Sequence, residues 1–111
     1  MKTLSLTETQ RLQIESFALV QNGNVAALRS WNRIIEAVGV PEPRKEELSY
    51  TEVQGGYVWA TPAQPESAVS CALEDEDAKR LLQALEDFPA WNVRRESTWL
   101  PDLLAQLESV V

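Results

Sequence analysis

The segment LEDEDAKRLLQALEDF, residues 73–88, carries the clearest structural signal in the chain. Its apolar residues recur at the spacing that places them on one face of an α-helix. That face comprises Ala78, Leu81, Leu82, Leu85 and Phe88. Four consecutive carboxylates stand at residues 74–77, where the helix dipole favours negative charge, and Pro89 ends the pattern. We therefore predict a helix over residues 75–88.

Two more helices are predicted before Pro41. Thr7 and Gln10 stand at capping-box spacing and an apolar pattern follows them, which predicts a helix over 7–21. Asn24 can cap a second helix over 25–38. The apolar stripe expected on that helix comprises Leu28, Trp31, Ile35 and Val38, and Ile34 widens it. Because the link between the two helices is short, they should pack as an antiparallel pair.

The C-terminal region predicts one further long helix, over 99–108. Its apolar stripe comprises Leu100, Leu103, Leu104 and Leu107. Pro101 is tolerated there because it lies in the first turn, where its missing N–H removes no helical hydrogen bond. Earlier in the chain, PRKEELS can form a short helix with Pro43 near its start, and AWNVRRES is interpreted as a connector.

The residues between 50 and 73 predict a small antiparallel sheet. SYTEV and YVWA flank Gly55 and Gly56, a glycine pair typical of a hairpin turn. The segment SAVSCAL also shows the two-residue alternation of a β-strand, and it could pair with YVWA in place of SYTEV. We favour Tyr57–Ala60 as the strand shared with 68–73, which leaves 50–54 as an edge strand or a helix end. The glycine pair is interpreted as structural, because neither the lysine nor the helix of a phosphate loop follows it.

The order of these elements indicates an α+β fold, with two N-terminal helices, a small antiparallel β element and two C-terminal helices. A chain of 111 residues fits a single domain, residues 1–111. The residues expected inside the core include Phe17, Leu28, Trp31, Leu82, Leu85 and Leu104.

Composition restricts the classes of partner. The net charge of −7 repels phosphate backbones and anionic lipid, so we expect no direct nucleic-acid binding and no membrane binding. The same charge attracts a basic protein partner, although it also serves solubility alone. The chain contains no apolar run of the roughly 20 residues that a membrane span needs. A single cysteine and the absence of a signal-peptide pattern favour a cytoplasmic location.

The residue types needed for catalysis are scarce. The chain has no histidine, which removes the commonest general base and the commonest metal ligand. Cys71 sits in an alternating apolar run and is expected to be buried, and Glu46 and Glu47 are adjacent and so point in different directions. The acidic run at 74–77 lacks the ligand spacing of a calcium loop. We therefore predict no catalytic residue, no metal and no cofactor.

Tryptophan and arginine supply the candidate partner-binding site. Trp31 lies on a predicted core stripe, and Trp59 is expected to face the helices. The other two tryptophans, Trp91 and Trp99, flank the segment NVRRES. Tryptophan together with arginine is the composition of interface hot spots. The candidate residues are Trp91, Arg94, Arg95 and Trp99. The alternative is that these rings close the edge of the core, with the arginines stacked across them.

The kind and order of several segments resemble a family of small phage-encoded accessory proteins. Those segments are LSLTETQRL, NGNVAALRSWNRIIEAVGV, RKEELSY, QGGYVWA and LEDEDAKRLLQALEDF, within residues 4–88. The part after Pro89 departs from the family pattern. The resemblance implies a small non-enzymatic protein that acts on a partner inside the bacterium. It transfers no active site, because the family has no assigned catalytic residues.

We therefore expect a protein of the host cytoplasm that binds a host macromolecule, as an inhibitor of a host protein or defence system. Two other classes remain as alternatives, namely a virion or assembly component that binds another phage protein, and a sponge for a small nucleotide. The sponge requires an aromatic ring on which several arginines converge, from among Arg29, Arg33, Arg94 and Arg95. A homo-oligomer contact is a further use of the candidate partner-binding site.

The substitution Gly56→Val tests the structural interpretation of the glycine pair. We expect a lower melting temperature, because a branched side chain resists the positive φ of a hairpin turn. The measurement is thermal unfolding, alongside a nucleotide-binding panel. A nucleotide that binds the wild type and not an equally stable variant would contradict this interpretation.

Overall fold

The computed structural model describes residues 1–53, 56–58 and 68–109 of the chain. The elements in chain order are β1 (Lys2–Leu6), α1 (Glu8–Leu19), α2 (Val25–Val38), α3 (Glu42–Leu48), β2 (Thr51–Val53), β3 (Gly56–Val58), β4 (Val69–Leu73), α4 (Asp75–Asp87), α5 (Val93–Glu96) and α6 (Leu100–Glu108). The predicted α+β class is confirmed, with helices on both sides of β structure along the chain. The predictions that fall on Gly55 and Trp59 lie outside the described residues.

The predicted helices are confirmed, and their ends differ from the prediction by at most two residues. The capping box of α1 is present. The Thr7 hydroxyl accepts a hydrogen bond from the Gln10 N–H at 3.2 Å, and the Gln10 side chain accepts one from the Thr7 N–H at 2.9 Å. Asn24 caps α2, where its side chain accepts from the N–H of Ala27 at 2.9 Å. Local capping chemistry therefore sets where both N-terminal helices begin.

The pairing predicted for β4 is wrong. We predicted that 68–73 pairs with the strand at Tyr57–Ala60, but β4 pairs antiparallel with β1, with Leu4 opposite Cys71. Leu4 and Leu6 are fully buried on β1, and Leu6 serves the strand as well as preceding the helix cap. The strand was missed because it has only five residues and its partner lies far along the chain, so no local pattern reveals the pair.

The hairpin is present as a separate pair of strands. β2 pairs antiparallel with β3, and the register sets Val53 opposite Gly56 and Thr51 opposite Val58. Within the predicted 50–54 run, Thr51–Val53 therefore forms a strand that pairs with β3, and β3 is not shared with β4.

The main core lies between the β1–β4 pair and helices α1, α2, α4 and α6. Phe17, Trp31 and Leu85 are buried in it, as predicted, whereas Leu82 and Leu104 are half-buried against its edge. Leu28 is 58% exposed, so its predicted place in the core is wrong. The residues of α2 that do face the core are Ala27, Ser30, Trp31, Ile34 and Val38. The helix has apolar residues on two sides. Trp31, Ile34 and Val38 of the predicted stripe are buried, but the stripe was centred too far to one side, so that it included the exposed Leu28.

Charged contacts attach α3 to α1. The Arg44 guanidinium donates two hydrogen bonds to the Glu8 carboxylate, at 2.9 and 2.8 Å. The next residue of α3, Lys45, donates to Glu15, which lies about two turns further along α1 and is 2% exposed. A buried carboxylate needs such a partner, so these pairs fix α3 beside α1.

A pair of leucine substitutions tests the packing of α2 and α4. We expect Leu85→Ala to lower the free energy of unfolding by about 2–5 kcal/mol, because it opens a cavity in the core. Leu28→Ala should change it by less than about 1 kcal/mol, because most of that side chain lies in water. Urea unfolding in dilute protein measures both. Equal losses in the two variants would contradict the observed rotation of α2.

Candidate functional site

The stretch from the end of α4 to α5 carries an aromatic residue held by several contacts. Trp91 is half-buried, and its indole N–H donates to the backbone carbonyl of Leu85 at 2.8 Å. Its ring centroid lies 4.4 Å from that of Phe88 and 5.7 Å from that of Phe17. The ring is therefore fixed in position before any partner arrives, while part of it remains accessible.

Trp99 lies beneath this ring, in the core. Its centroid is 5.8 Å from that of Trp91 in an edge-on arrangement, and only 2% of the residue is exposed. The backbone carbonyl of Trp99 also accepts a hydrogen bond from Gln10 of α1 at 3.2 Å. A direct partner contact through Trp99 does not fit this burial, and the residue instead supports Trp91 from inside.

The short helix α5 corrects the predicted connector. The Asn92 side chain accepts from the Arg95 N–H at 3.0 Å, and the buried Glu96 carboxylate accepts from the Asn92 N–H at 2.9 Å. These two bonds close one helical turn and leave three consecutive side chains pointing into water. Val93 is 84% exposed, and Arg94 and Arg95 are exposed beside it.

We call the surface formed by Phe88, Trp91, Val93, Arg94 and Arg95 the α5 edge. It combines a fixed indole, an exposed aliphatic side chain and two guanidinium groups. The only partner shown for the pair of arginines within the described residues is Glu96, whose Oε1 lies 3.6 Å from the Arg95 Nε. This pair is long and its Arg95 side chain is 83% exposed, so the contact contributes little stability and both arginines remain able to pair with another molecule.

A nucleotide sponge would need several of four arginines to converge on an aromatic ring, namely Arg29, Arg33, Arg94 and Arg95. Arg94 and Arg95 lie together on α5, but Arg33 of α2 is held by Asp77 of α4. Within the described part of the chain, the cation–π contact is that of Lys45, whose Nζ lies 5.3 Å from the centre of the Tyr50 ring. It involves none of those four arginines.

The contacts of Asp77 were missed by the sequence analysis. Its carboxylate is 1% exposed and accepts from the Ser30 hydroxyl at 2.6 Å. Arg33 donates to both of its oxygens, each at 2.8 Å. Helix-start electrostatics account for the exposed Glu74, Asp75 and Glu76, but Asp77 is a buried ion-pair partner. No local pattern reveals it, because its partners come from another helix.

The hydrogen bonds from Arg33 lower the pKa of Asp77, and Ser30 and the charge of Arg80 act in the same direction. Burial alone acts in the opposite direction and is outweighed. The carboxylate is therefore ionised at neutral pH and ties α2 to α4. Its contacts are all internal, which makes it a structural group and not part of a surface site.

The described residues offer little for metal or thiol chemistry. No group of three or more carboxylate or cysteine side chains among them could hold a metal ion. Cys71 is buried on β4 as predicted, and burial raises the pKa of its thiol, with the charge of Arg11 acting weakly against that. The thiol is therefore protonated at neutral pH.

No helix in the described ranges combines the length and apolar character needed to cross a bilayer.

A comparison of the chain with family models, with curated proteins and with solved structures finds no match. The resemblance to phage accessory proteins therefore stays a prediction.

The lowered pKa of Asp77 predicts a specific sensitivity to acid. Because the pKa is lower in the folded state, the ion pair stabilises the fold fully above the unfolded value, about 3.9. That contribution is lost as the pH falls through the folded value. We expect Asp77→Asn to cost about 2 kcal/mol at neutral pH, since a buried charged hydrogen bond is lost while Arg33 can still reach water.

The matched control is Glu76→Gln, which removes an exposed carboxylate from the same helix turn. It should lose little stability at neutral pH and keep the acid-dependent decrease of the wild type. Urea unfolding from neutral pH to well below the unfolded carboxyl value of about 3.9 follows this decrease. An Asp77→Asn variant with the stability and acid profile of the wild type would show that the buried pair is not a stabilising contact.

Proposed function

We propose that the protein is a non-catalytic binding protein that holds a protein partner through the α5 edge. One observation carries this proposal. Trp91 is fixed by a hydrogen bond to Leu85 and by three aromatic neighbours, while Val93 and two arginines next to it project into solvent. A prearranged aromatic beside exposed arginines is what interface hot spots contain.

The rigidity of the edge favours binding. Ordering a mobile side chain at an interface costs roughly 0.5–1.5 kcal/mol, and the packing of Trp91 has already met that cost in the free protein. Val93 lies almost wholly in water, so a partner that covers it would remove apolar surface from water. Full burial of a side chain of this size contributes about 1.5–3 kcal/mol. The capped turn of α5 keeps both groups on one side.

The charges suggest a partner with two electrostatic features. Arg94 and Arg95 suit carboxylates or backbone carbonyls at the centre of the contact, because guanidinium groups donate in a planar fork. The net charge of −7 favours a partner whose surrounding surface is basic. That long-range attraction would mainly speed association and would weaken as salt increases.

The resemblance to phage accessory proteins directs the search for the partner to bacterial host proteins. In this proposal the protein works in the host cytoplasm, as an inhibitor of a host protein or defence system. The net charge supports this direction, because it disfavours nucleic acid and anionic lipid as direct partners. A phage structural protein or a small nucleotide as the bound species is an alternative outcome of the same experiment.

Affinity purification from a bacterial lysate, with mass spectrometry of proteins and small molecules, tests the proposal. The variant combines Val93→Ser, Arg94→Ala and Arg95→Ala, which are exposed and should leave the melting temperature unchanged. We expect one stoichiometric protein with the wild type and at least about tenfold weaker binding of that protein by the variant. The control is Lys79→Ala, an exposed charge on α4, which should bind like the wild type.

Three outcomes would overturn the proposal. A nucleotide as the sole co-purified species would favour the sponge. A protein retained equally by the α5 edge variant would locate the contact elsewhere. Association that strengthens throughout a salt titration would exclude attraction to a basic partner surface.

A further inference from the structure

Helix α2 carries a second stripe, of three apolar residues and one asparagine, beside the face that the core covers, and its Ile35 also packs against the edge of the core. Val25, Leu28, Asn32 and Ile35 follow one another at steps of three, four and three residues, the a/d spacing of a coiled-coil seam. Val25 is 62% exposed and Leu28 is 58% exposed, while Ile35 is half-buried at the side. We call these four residues the outer stripe of α2.

The end of α1 widens this apolar surface. Leu19 and Val20 are both exposed large hydrophobic residues at the turn that leads into α2. A shallow groove of about 320 Å³ lies between the two helices, with Leu19, Leu28 and Ile35 in its lining. Gln21, Asn22 and Asn32 also line the groove, so an apolar strip with polar residues at its rim lies open to solvent, as interaction sites often do.

Two residues of opposite charge lie along one side of the stripe. Arg29 and Glu36 are both exposed and lie two helical turns apart on the same side of α2. Neither forms an ion pair with another residue in the described ranges. Arg33, between them in sequence, is already paired with Asp77. The outer stripe therefore has one available cation and one available anion, one on each side of Asn32 along the helix.

We propose that two copies of this chain associate through the outer stripe, with their α2 helices antiparallel about a two-fold axis at Asn32. Arg29 lies three residues before Asn32 and Glu36 lies four residues after it, so reversing the helix about Asn32 brings Arg29 of each copy within one residue of the level of Glu36 of the other. The same operation sets Leu28 beside Ile35 of the second copy. The surface is thus complementary to itself in both charge and apolar contact, which is the requirement of an isologous dimer.

The centre of the seam also suits this arrangement. The two Asn32 amides meet at the axis, where they can pair with each other, as polar residues at a seam do when they set register. A parallel pair of α2 helices would not join Arg29 to Glu36. In a parallel pair, the side of one helix that carries these two charges faces the uncharged side of the stripe on the second helix.

Sedimentation equilibrium over about a hundredfold range of protein concentration tests the association. We expect a monomer–dimer equilibrium for the wild type and a monomer for Leu28→Asp. Arg29→Glu alone and Glu36→Arg alone should each weaken the dimer at least about tenfold at low salt, because each creates two repulsive pairs. An equimolar mixture of these two variants should restore association. In the mixed dimer one copy carries carboxylates at both positions of the pair, and the other copy carries guanidinium groups at both.

Cysteine crosslinking tests the orientation. Asn32→Cys should form an intermolecular disulfide under mild oxidation, because the axis brings the two copies of this position together. Val25→Cys is the matched control, since two Val25 positions in an antiparallel pair lie roughly 20 Å apart along the helices. Cys71 is buried and does not compete. Thermal unfolding confirms that each exposed substitution leaves the fold intact.

The outcomes that overturn the inference are distinct from those that concern the α5 edge. A wild type that stays monomeric at every concentration refutes the dimer, and a dimer retained by Leu28→Asp refutes the outer stripe. Equal crosslinking of the Val25→Cys and Asn32→Cys variants refutes the antiparallel orientation. The α5 edge variant should dimerise like the wild type, since α5 takes no part in this contact.

Discussion

The buried carboxylate of Asp77 is the contact on which the arrangement of the helices depends. A desolvated charge is stable only with close partners, and here both come from α2, as the Ser30 hydroxyl and the Arg33 guanidinium. This pairing admits one rotation of α2 against α4. That rotation buries Trp31 and leaves Leu28 in solvent, so both the core and the outer stripe of α2 follow from it.

Helix α1 then connects the remaining elements through polar side chains. Glu8 holds α3 through Arg44, and Gln10 reaches Asp102 of α6 at 2.8 Å. Arg11 donates to the carbonyl of Val38 at 3.0 Å, at the end of α2. Each contact leaves the helix in a different direction, which explains why α1 has no single polar face. The Gln10 contacts also fix α6, and with it Trp99 beneath the α5 edge.

The candidate site was only partly predictable. The tryptophans and arginines around NVRRES led to a predicted partner-binding site, and the structure places Arg94 and Arg95 of that segment in solvent. The sequence did not reveal that Trp99 turns inward while Trp91 stays accessible. Two tryptophans in one connector look equivalent in sequence. Only the contacts of each ring show that Trp99 is the buried support and that Trp91 is the accessible residue.

The sequence by itself determined the helices and their ends, because capping side chains, prolines and apolar periodicity act within a few residues of each other. The threonine–glutamine box at α1 and the asparagine cap at α2 are examples. Tertiary structure alone decided the β1–β4 pair, the rotation of α2 and the burial of Asp77. Each joins segments distant in the chain, and α2 is apolar on two sides. The choice therefore depended on which packing paired every buried charge and covered the most apolar surface, a property of the assembled fold and not of any segment.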